Sequence, residues 1–389
     1  MRKVLVSGVL AVIAGAGVVV ADVQPASAVT VKVAGSTVTV SQTAGDTGLV
    51  SITVLPSGFV EVISNGGTPE VHPARPNLVV NGREGMTLFT VVTLQSALSG
   101  SLSFNLPADA VVRVTGDAAQ IGGDLWARGS VASQSLELSE IDEVSVAGDV
   151  NVDLAGGVDS LTVVHALDIG GSLAVRGANN VAFDGALTVG RDASFQLQPE
   201  VMGTEFSAGD AFVVGRDFRF SGGHGPDQVH IDAVLGVSQV GGNISMRLGN
   251  ALFYPGLQSV HLRDLLVLGD VRVVGGQGYN GFSTSASTVI SGDLDGKFSG
   301  DLSNFWIDGA VGGTSIRYTG SNGEDDVHLW GSAPNARARV MTKGGADRLV
   351  FGPATTELLQ VIANLGAGVD QLETQGYVLP PNSSVKGLP

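Results

Sequence analysis

Four aspartates that follow glycines at short distances are the strongest candidates for chemistry in this 389-residue sequence. Asp227, Asp325, Asp347 and Asp370 all lie in segments with the pattern Gly-x-Asp-x-apolar. The last three are 22 and 23 residues apart, so a repeating fold would stack their carboxylates about 4.8 Å apart on one edge. Such a column repels itself unless cations or backbone amides neutralise it. Calcium, which takes six to eight oxygen ligands, suits these carboxylates and the turn carbonyls beside them.

Residues 222–230, Gly-Gly-His-Gly-Pro-Asp-Gln-Val-His, resemble the calcium-binding nonapeptide of RTX-type β-rolls. In that family the nonapeptides occur in tandem, whereas the four aspartates here are separated by a full repeat or more. The resemblance implies calcium, the single cofactor we consider, at Asp227, Asp325, Asp347 and Asp370. Ordinary aspartate turn chemistry, in which the carboxylate accepts hydrogen bonds from nearby amides, is the open alternative.

The sequence contains no established catalytic motif. Cysteine is absent, which excludes disulfides, thiolate metal sites and cysteine nucleophiles, and neither a Gly-x-Ser-x-Gly elbow nor a phosphate-binding loop is present. A polysaccharide lyase or glycoside hydrolase needs two or three carboxylates close together, often with Arg or Lys as the base. The residue groups that offer such chemistry are Asp264 with Arg263 and His261, and Asp325 and Asp326 near His328.

A recurring phrase in the middle of the chain predicts the elements that position these residues. In this phrase an apolar residue, a spacer and Gly or Arg precede Asp, Asn or Ser, as in Ile121-Gly-Gly-Asp124. The apolar residues alternate on both sides, which is typical of short strands with one buried face that are joined by a tight turn. The polar residue recurs every 20 to 27 residues, at Asp124, Asp149, Ser172, Asp192, Asp217, Asn243, Asp270 and Asp293.

Repeats of this length without a helical period predict an all-β fold, a single-stranded parallel β-helix of about 19–27 residues per coil. A single coil cannot bury its apolar face alone, so the coils must stack, and we expect an N-terminal β cap over the first one. Residues 95–375 resemble in architecture the secreted bacterial right-handed β-helix proteins, such as adhesins and autotransporter passengers. The resemblance implies right-handed winding and a place at the cell surface or outside the cell.

The amino terminus predicts export. Arg2 and Lys3 precede an apolar run, and Ala26-Ser27-Ala28 forms a small-x-small cleavage site, as in a bacterial secretory signal peptide. We expect cleavage after Ala28 and a secreted or cell-surface protein with no transmembrane segment, an uncleaved anchor being the alternative. The predicted organisation is a signal peptide over 1–28, an N-terminal β segment or cap over 29–95, a parallel β-helix over 96–375 and an irregular tail over 376–389.

Charge narrows the classes of partner. Asp and Glu total 37 against 21 Lys and Arg, a net charge of −16, which argues against binding to nucleic acid. We expect a non-catalytic structural, adhesive or binding element whose partner is an extracellular protein or a polysaccharide surface. The alternative is a carbohydrate-active β-helix enzyme, which a concave face with converging Asp and Arg would favour.

Overall fold

The computed structural model describes residues 10–13, 18–21, 29–43, 49–116, 119–139, 143–197, 203–232, 238–250, 257–353 and 357–389. This part of the chain contains no helix, and its parallel sheets stack into a β-solenoid of about 12 turns. The predicted all-β parallel β-helix is therefore confirmed. The predicted cleavage site after Ala28 lies outside the described residues, and of segment 1–28 only the antiparallel pair Leu10–Ile13 and Val18–Ala21 is described.

Three sheets, which we call sheet 1, sheet 2 and sheet 3, run along the sides of the solenoid. The sixteen strands of sheet 1 are, in pairing order, Val29–Ala34, Thr37–Gln42, Asn77–Asn81, Leu102–Asn105, Leu125–Arg128, Val150–Asp153, Leu173–Arg176, Ala193–Gln196, Phe218–Ser221, Ile244–Arg247, Val271–Val274, Leu294–Lys297, Ser315–Thr319, Arg337–Met341, Gln360–Asn364 and Ser384–Lys386.

The sixteen strands of sheet 2 are, in pairing order, Glu70–Pro73, Phe59–Ser64, Leu49–Val54, Leu88–Leu94, Ala110–Thr115, Gln134–Leu138, Ser160–Val163, Asn180–Phe183, Thr204–Ala208, Asp227–Asp232, Leu257–Arg263, Tyr279–Thr284, Leu302–Ile307, Glu324–Leu329, Arg348–Phe351 and Gln371–Glu373. Sheet 3 has nine short strands, which are Ala119–Ile121, Glu143–Val146, Ala166–Ile169, Leu187–Val189, Phe212–Val214, Ser238–Val240, Leu265–Val267, Val289–Ile290 and Ala310–Val311.

In the middle of the solenoid each coil passes from sheet 3 to sheet 1 and then to sheet 2, before it reaches sheet 3 again one coil further along. The length of a coil varies from the 20 residues between Leu173 and its partner Ala193 to the 27 residues between Ile244 and its partner Val271. The predicted coil length is confirmed. The variation lies in the connections, because the paired strands keep a regular register.

Alternation of inward and outward side chains builds one continuous apolar core. Successive side chains of a strand point to opposite faces, so Leu173 and Val175 are buried while Arg176 is exposed. In the central coils the rings of Phe195 and Phe206 lie 4.6 Å apart, and both lie within 5.6 Å of the next ring along. Since burying one Phe side chain stabilises a fold by about 1.5–3 kcal/mol, these rings anchor the coils that contribute them.

Antiparallel strands occupy the N-terminal end of both long sheets. Val29–Ala34 pairs antiparallel with Thr37–Gln42 in sheet 1, and Leu49–Val54, Phe59–Ser64 and Glu70–Pro73 form an antiparallel meander in sheet 2. These strands form the N-terminal β cap expected over the first coil. They also end the ladder of parallel edges, with Pro73 on the outermost strand, where it removes a donor that could pair with another chain.

Parallel stacking begins at Asn77–Asn81, which pairs with the second strand of the cap. At the other end, Ser384–Lys386 pairs with Gln360–Asn364, so backbone pairing extends into the segment expected to be an irregular tail. The domain boundaries at residues 95 and 375 stay predictions.

Candidate functional site

The repeated polar residue lies at the corner between sheet 3 and sheet 1, where it joins neighbouring coils. Oδ1 of Asp124 accepts a hydrogen bond of 2.8 Å from the backbone amide of Asp149, its counterpart one coil further along. In the same way Oδ1 of Asp270 accepts from the amide of Asp293 at 2.8 Å. We call this row the corner ladder; it consists of Asp124, Asp149, Asp192, Asp217, Asn243, Asp270 and Asp293.

Backbone amides therefore satisfy the side chains of the corner ladder. A hydrogen bond to a charged acceptor contributes about 1.5–3 kcal/mol, and the donor here belongs to the next coil rather than to the aspartate's own turn. The coils approach each other so closely at this corner that a Cβ atom on Gly171 would collide with the carboxylate of Asp149 and the carbonyl of Gly148. The repeated Gly-Asp phrase thus has a structural explanation.

A second polar row runs inside the solenoid, at the corner where sheet 1 leads into sheet 2. One polar side chain from each successive coil occupies the first inward position of sheet 2, and ten of the eleven are buried. We call this row the inward column; it consists of Gln134, Asp159, Asn179, Thr204, Asp227, Gln258, Asn280, Ser303, Asp325, Asp347 and Asp370.

All four predicted calcium residues belong to the inward column, with exposed fractions of 0 to 3%. Asp325, Asp347 and Asp370 lie in consecutive coils, as their spacing predicts. Oδ1 of Asp347 accepts from the amide of Asp325 at 3.0 Å, and Oδ1 of Asp370 accepts from the amide of Asp347 at 3.0 Å. Asp227 lies apart from them, because Gln258, Asn280 and Ser303 intervene.

Hydrogen bonds also take up the carboxylates of Asp227 and Asp325. Thr204 Oγ1 donates to Asp227 at 2.5 Å and the amide of Gly249 donates to it at 2.6 Å. Asp325 accepts from the Tyr318 hydroxyl at 2.7 Å and from the amide of Ser321 at 3.2 Å. These donors hold each carboxyl group in place between the coils.

Burial raises the pKa of three of these carboxyl groups. The pKa of Asp325 is raised to about 6, chiefly because it is desolvated, and the charge of Asp347 adds to the rise while the Tyr318 hydroxyl opposes it. Desolvation likewise raises the pKa values of Asp227 and Asp347, against the opposing effect of their hydrogen bonds. The inward column therefore favours protonated carboxyl groups, which are poorer ligands for a hard cation.

Among the described residues, no group of three or more His, Asp or Glu side chains is arranged to hold a metal ion. One oxygen each of Asp347 and Asp370 is buried without a hydrogen-bond partner, a state that favours a neutral carboxyl group. Calcium binding at the four aspartates stays a prediction. The structure gives these residues a different role, in which they join adjacent coils through backbone amides and hydroxyl groups.

The residues proposed for acid–base chemistry near His328 are only partly brought together. His328 Nε2 lies 2.8 Å from Asp326 Oδ1, the Trp306 ring lies 4.6 Å from the imidazole, and Arg348 lies 3.8 Å from Asp326. Asp325 points into the core, because neighbouring residues of a strand face opposite sides. The proposed pair Asp325 and Asp326 therefore does not converge on one substrate.

The second proposed group, Asp264 with Arg263 and His261, is dispersed among other partners. His261 Nδ1 lies 2.6 Å from the Ser283 hydroxyl and its ring stacks on His230 at 5.0 Å. Burial and the neighbouring His230 lower the pKa of His261 below its ordinary value. Arg263 lies 3.6 Å from Asp232, and Asp264 accepts a hydrogen bond from Ser287.

Positive charge is concentrated on the outward side of sheet 1. Its strands carry eleven exposed basic residues and only two acidic ones, Asp153 and Asp295. The strands of sheet 2 carry ten acidic and three basic residues, so the excess of acid lies elsewhere. We call this surface the cationic face; its basic residues are Lys32, Arg128, Arg176, Arg219, Arg247, Arg272, Lys297, Arg317, Arg337, Arg339 and Lys386.

Two shallow concavities mark the C-terminal part of the cationic face. One, of about 570 Å³, is lined by Arg317, Arg339 and Lys343 among others, and its neighbour, of about 450 Å³, adds Arg337 and Gln360. Within the described chain none of these four cations lies within 4.0 Å of a carboxylate. Elsewhere on the face Arg219 and Arg272 pair with nearby aspartates, at 2.6 Å and 3.7 Å.

The charge distribution was not predicted, although its signal is present in the repeats. Arg128, Arg176 and Arg247 each close the strand that follows the corner, three or four residues after the repeated polar position. The inward column has no comparable signal. Its members share a position but not a residue type, and no sequence spacing connects Gln258 with Asp325.

Comparison with known proteins adds no family to this description. No protein-family model matches the chain, and neither a curated protein nor a solved structure shows significant similarity to it. The portion of the chain that the structure describes has no apolar helix long enough to cross a membrane.

Proposed function

We propose that this chain is an exported, non-catalytic β-solenoid that acts as a structural, adhesive or binding element at the cell surface or outside the cell. The observation that supports this best is the use of the repeated aspartates. In the corner ladder and the inward column, carboxylates join one coil to the next, as Asp270 does with the amide of Asp293. Residues that could have done chemistry thus stiffen a rod.

Export is supported by the sequence of residues 1–28, whose basic start, apolar run and Ala26-Ser27-Ala28 ending form a secretory signal. An exported rod presents its three sheets and the loops between them to a partner, which we propose to be an extracellular protein or a polysaccharide surface. A solenoid is suited to this role because its outward side chains form long, regular rows.

Fractionation of the producing cells tests this proposal. We expect the protein in the medium or at the cell surface, with Val29 as its first residue by N-terminal sequencing. Ala28→Trp, which places a large side chain at the cleavage site, is expected to leave the signal attached, while Ser27→Thr serves as the matched control. Accumulation of the uncleaved wild-type chain in the cytoplasm would contradict export.

The alternative, a carbohydrate-active enzyme, is favoured by one observation, the hydrogen-bonded pair of His328 and Asp326 beneath the half-exposed Trp306. An enzyme of this kind would release new reducing ends or unsaturated sugars from polysaccharides, and Asp326→Asn would abolish that release. We expect no turnover of acidic or neutral polysaccharides by the wild-type protein. Turnover that disappears in Asp326→Asn would replace the binding role with a catalytic one.

A further inference from the structure

We infer that the cationic face is a binding surface for a linear acidic polysaccharide that lies along the axis of the solenoid. This inference rests on the proposed function, since it names the partner of a rod that works outside the cell. Three independent features of sheet 1 support it. These are the segregation of charge, the spacing of the cations and an exposed tryptophan in the same row.

Charge segregation shows that the face is complementary to a polyanion. A chain with a net charge of −16 repels anionic polymers on average, yet the sheet 1 strands carry eleven exposed cations and two carboxylates. Salt screens charges over about 8 Å at physiological ionic strength. A polymer lying on sheet 1 therefore experiences the local positive charge rather than the acidic remainder of the molecule.

The cations follow the axis in regular rows. Arg219, Arg272 and Arg317 occupy one outward row, and a single coil separates each from the next. Because adjacent coils are about 4.8 Å apart, these guanidinium groups recur about every 10 Å along the row. Arg247 and Lys297 repeat the same interval in the neighbouring row.

This interval fits a polysaccharide in which every second sugar carries a carboxylate, since it is close to the length of two sugar residues in an extended chain. Arginine pairs with a carboxylate through two parallel N–H···O hydrogen bonds, which fixes direction as well as charge. A nucleic acid fits less well, because it carries a phosphate on every nucleotide rather than on alternate units.

The C-terminal coils hold the most concentrated part of the face. Arg317 and Arg339 pair directly across adjacent strands, and with Lys343 they line the larger concavity. In the described structure these cations have no carboxylate partner within 4.0 Å, so a ligand need not displace an ion pair. Polar side chains such as Asn335 and Gln360 line the adjoining concavity, where they can bond to sugar hydroxyl groups.

An aromatic ring lies in the same row toward the N-terminal end. Trp126 is 47% exposed, and the register of sheet 1 places it four coils before Arg219. An exposed indole offers an apolar face with a polar edge, on which a sugar ring can stack. A rod of this kind would engage one polymer at many points, so that weak single contacts add up to firm attachment.

Binding of the purified full chain to hyaluronan, which carries a carboxylate on alternate sugars, tests the inference. We expect saturable binding that weakens steeply as salt is raised, and no binding to uncharged dextran. The double variant Arg317→Gln/Arg339→Gln should weaken hyaluronan binding by about tenfold. The matched control Arg75→Gln/Arg83→Gln removes the same charge from exposed positions outside sheet 1 and should change binding less than about twofold.

Four results would overturn the inference. Equal weakening by both double variants would show that net charge alone governs binding, and equal binding to dextran would show that carboxylates are not recognised. Tighter binding to single-stranded DNA would make the partner a nucleic acid. Self-association of the free chain that Arg317→Gln/Arg339→Gln abolishes would make the occupant a second copy. Circular dichroism melting of each variant verifies that the fold is intact.

Failure of this inference can be distinguished from failure of the proposed function. An exported chain that binds no polyanion disproves the partner while the surface role stands. A chain that binds hyaluronan through sheet 1 but stays inside the cell disproves export while the binding face stands.

Discussion

Asp325 combines a buried carboxyl group with two donors, the Tyr318 hydroxyl and the amide of Ser321. Its pKa, raised from 3.8 to about 6, means that the folded protein binds this proton more tightly than the unfolded chain does. The stabilisation from Asp325 is therefore full below about pH 4 and is lost as the pH rises through about 6. The same sign applies to Asp227 and Asp347, whose pKa values are raised as well.

We predict that Asp325→Asn flattens the pH dependence of the free energy of unfolding between pH 4 and about 6. The wild type should lose up to about 2 kcal/mol more than the variant over this range, because only the wild type must ionise a buried carboxyl group. Urea unfolding at a series of pH values measures the difference. Asp184→Asn, at an exposed position, is the control, and an equal flattening in that variant would contradict the prediction.

The corner ladder makes a second prediction about single residues. Asp270→Ala leaves the amide of Asp293 without its acceptor, which should cost about 1–3 kcal/mol in the free energy of unfolding. Asp270→Asn should cost much less, because Asn243 already performs the same role one coil earlier by accepting from the amide of Asp270. Equal losses in the two variants, measured by urea denaturation, would show that charge rather than the hydrogen bond matters.

At the scale of the element, each coil depends on the coils beside it. Phe206 is fully buried in sheet 2 and its ring lies within 5.5 Å of the rings of Phe195 and Phe218. We predict that Phe206→Ala destabilises the central coils by about 3–5 kcal/mol. Hydrogen exchange should accelerate mostly around residues 180–220, since solenoid coils contact only their neighbours.

Phe89→Ala is the control for that prediction, because Phe89 lies on the outward side of sheet 2 and is 44% exposed. Its effect should remain within about 0.5 kcal/mol. Uniform acceleration of exchange along the whole chain in Phe206→Ala would argue that the solenoid unfolds as one cooperative unit.

The strands and the corner turns could be predicted from the sequence, whereas the alignment of neighbouring coils could not. Alternation around Asp124 and its counterparts is local, so it survives in the sequence. The inward column requires the register between coils, and connections of variable length separate its members. The column also mixes amides, hydroxyl groups and carboxyl groups, because any side chain that can exchange hydrogen bonds with the next coil fits this position.

The inward orientation of Asp227, Asp325, Asp347 and Asp370 could not be predicted for a related reason. A Gly-x-Asp phrase indicates a turn, and turn aspartates are ordinarily at the surface. Here the aspartate is the first inward residue of the strand after the corner, as the burial of Asp227 and Asp325 shows. Direction relative to the core depends on the path of the preceding connection, which a local pattern does not encode.

The whole molecule is acidic in sum but has sides of opposite charge. Although the isoelectric point is near 4.6, the cationic face carries eleven basic residues against two acidic ones. We predict that the protein binds a cation-exchange resin at pH 7 and low salt, which a protein with evenly spread charge of this sign would not do. Arg317→Gln/Arg339→Gln should elute at lower salt than the wild type, and passage of the wild type through the column unbound would contradict the prediction.

Parallel stacking has a mechanical consequence. The sheets run from Val29–Ala34 at one end to Ser384–Lys386 at the other, so tension between the two termini pulls along the axis. Under such tension the terminal coils detach first, and each releases 20 to 27 residues, or roughly 65–95 Å of extended chain. An anchored rod of this kind would lengthen in steps under strain instead of breaking at once, and would absorb work with every coil it gives up.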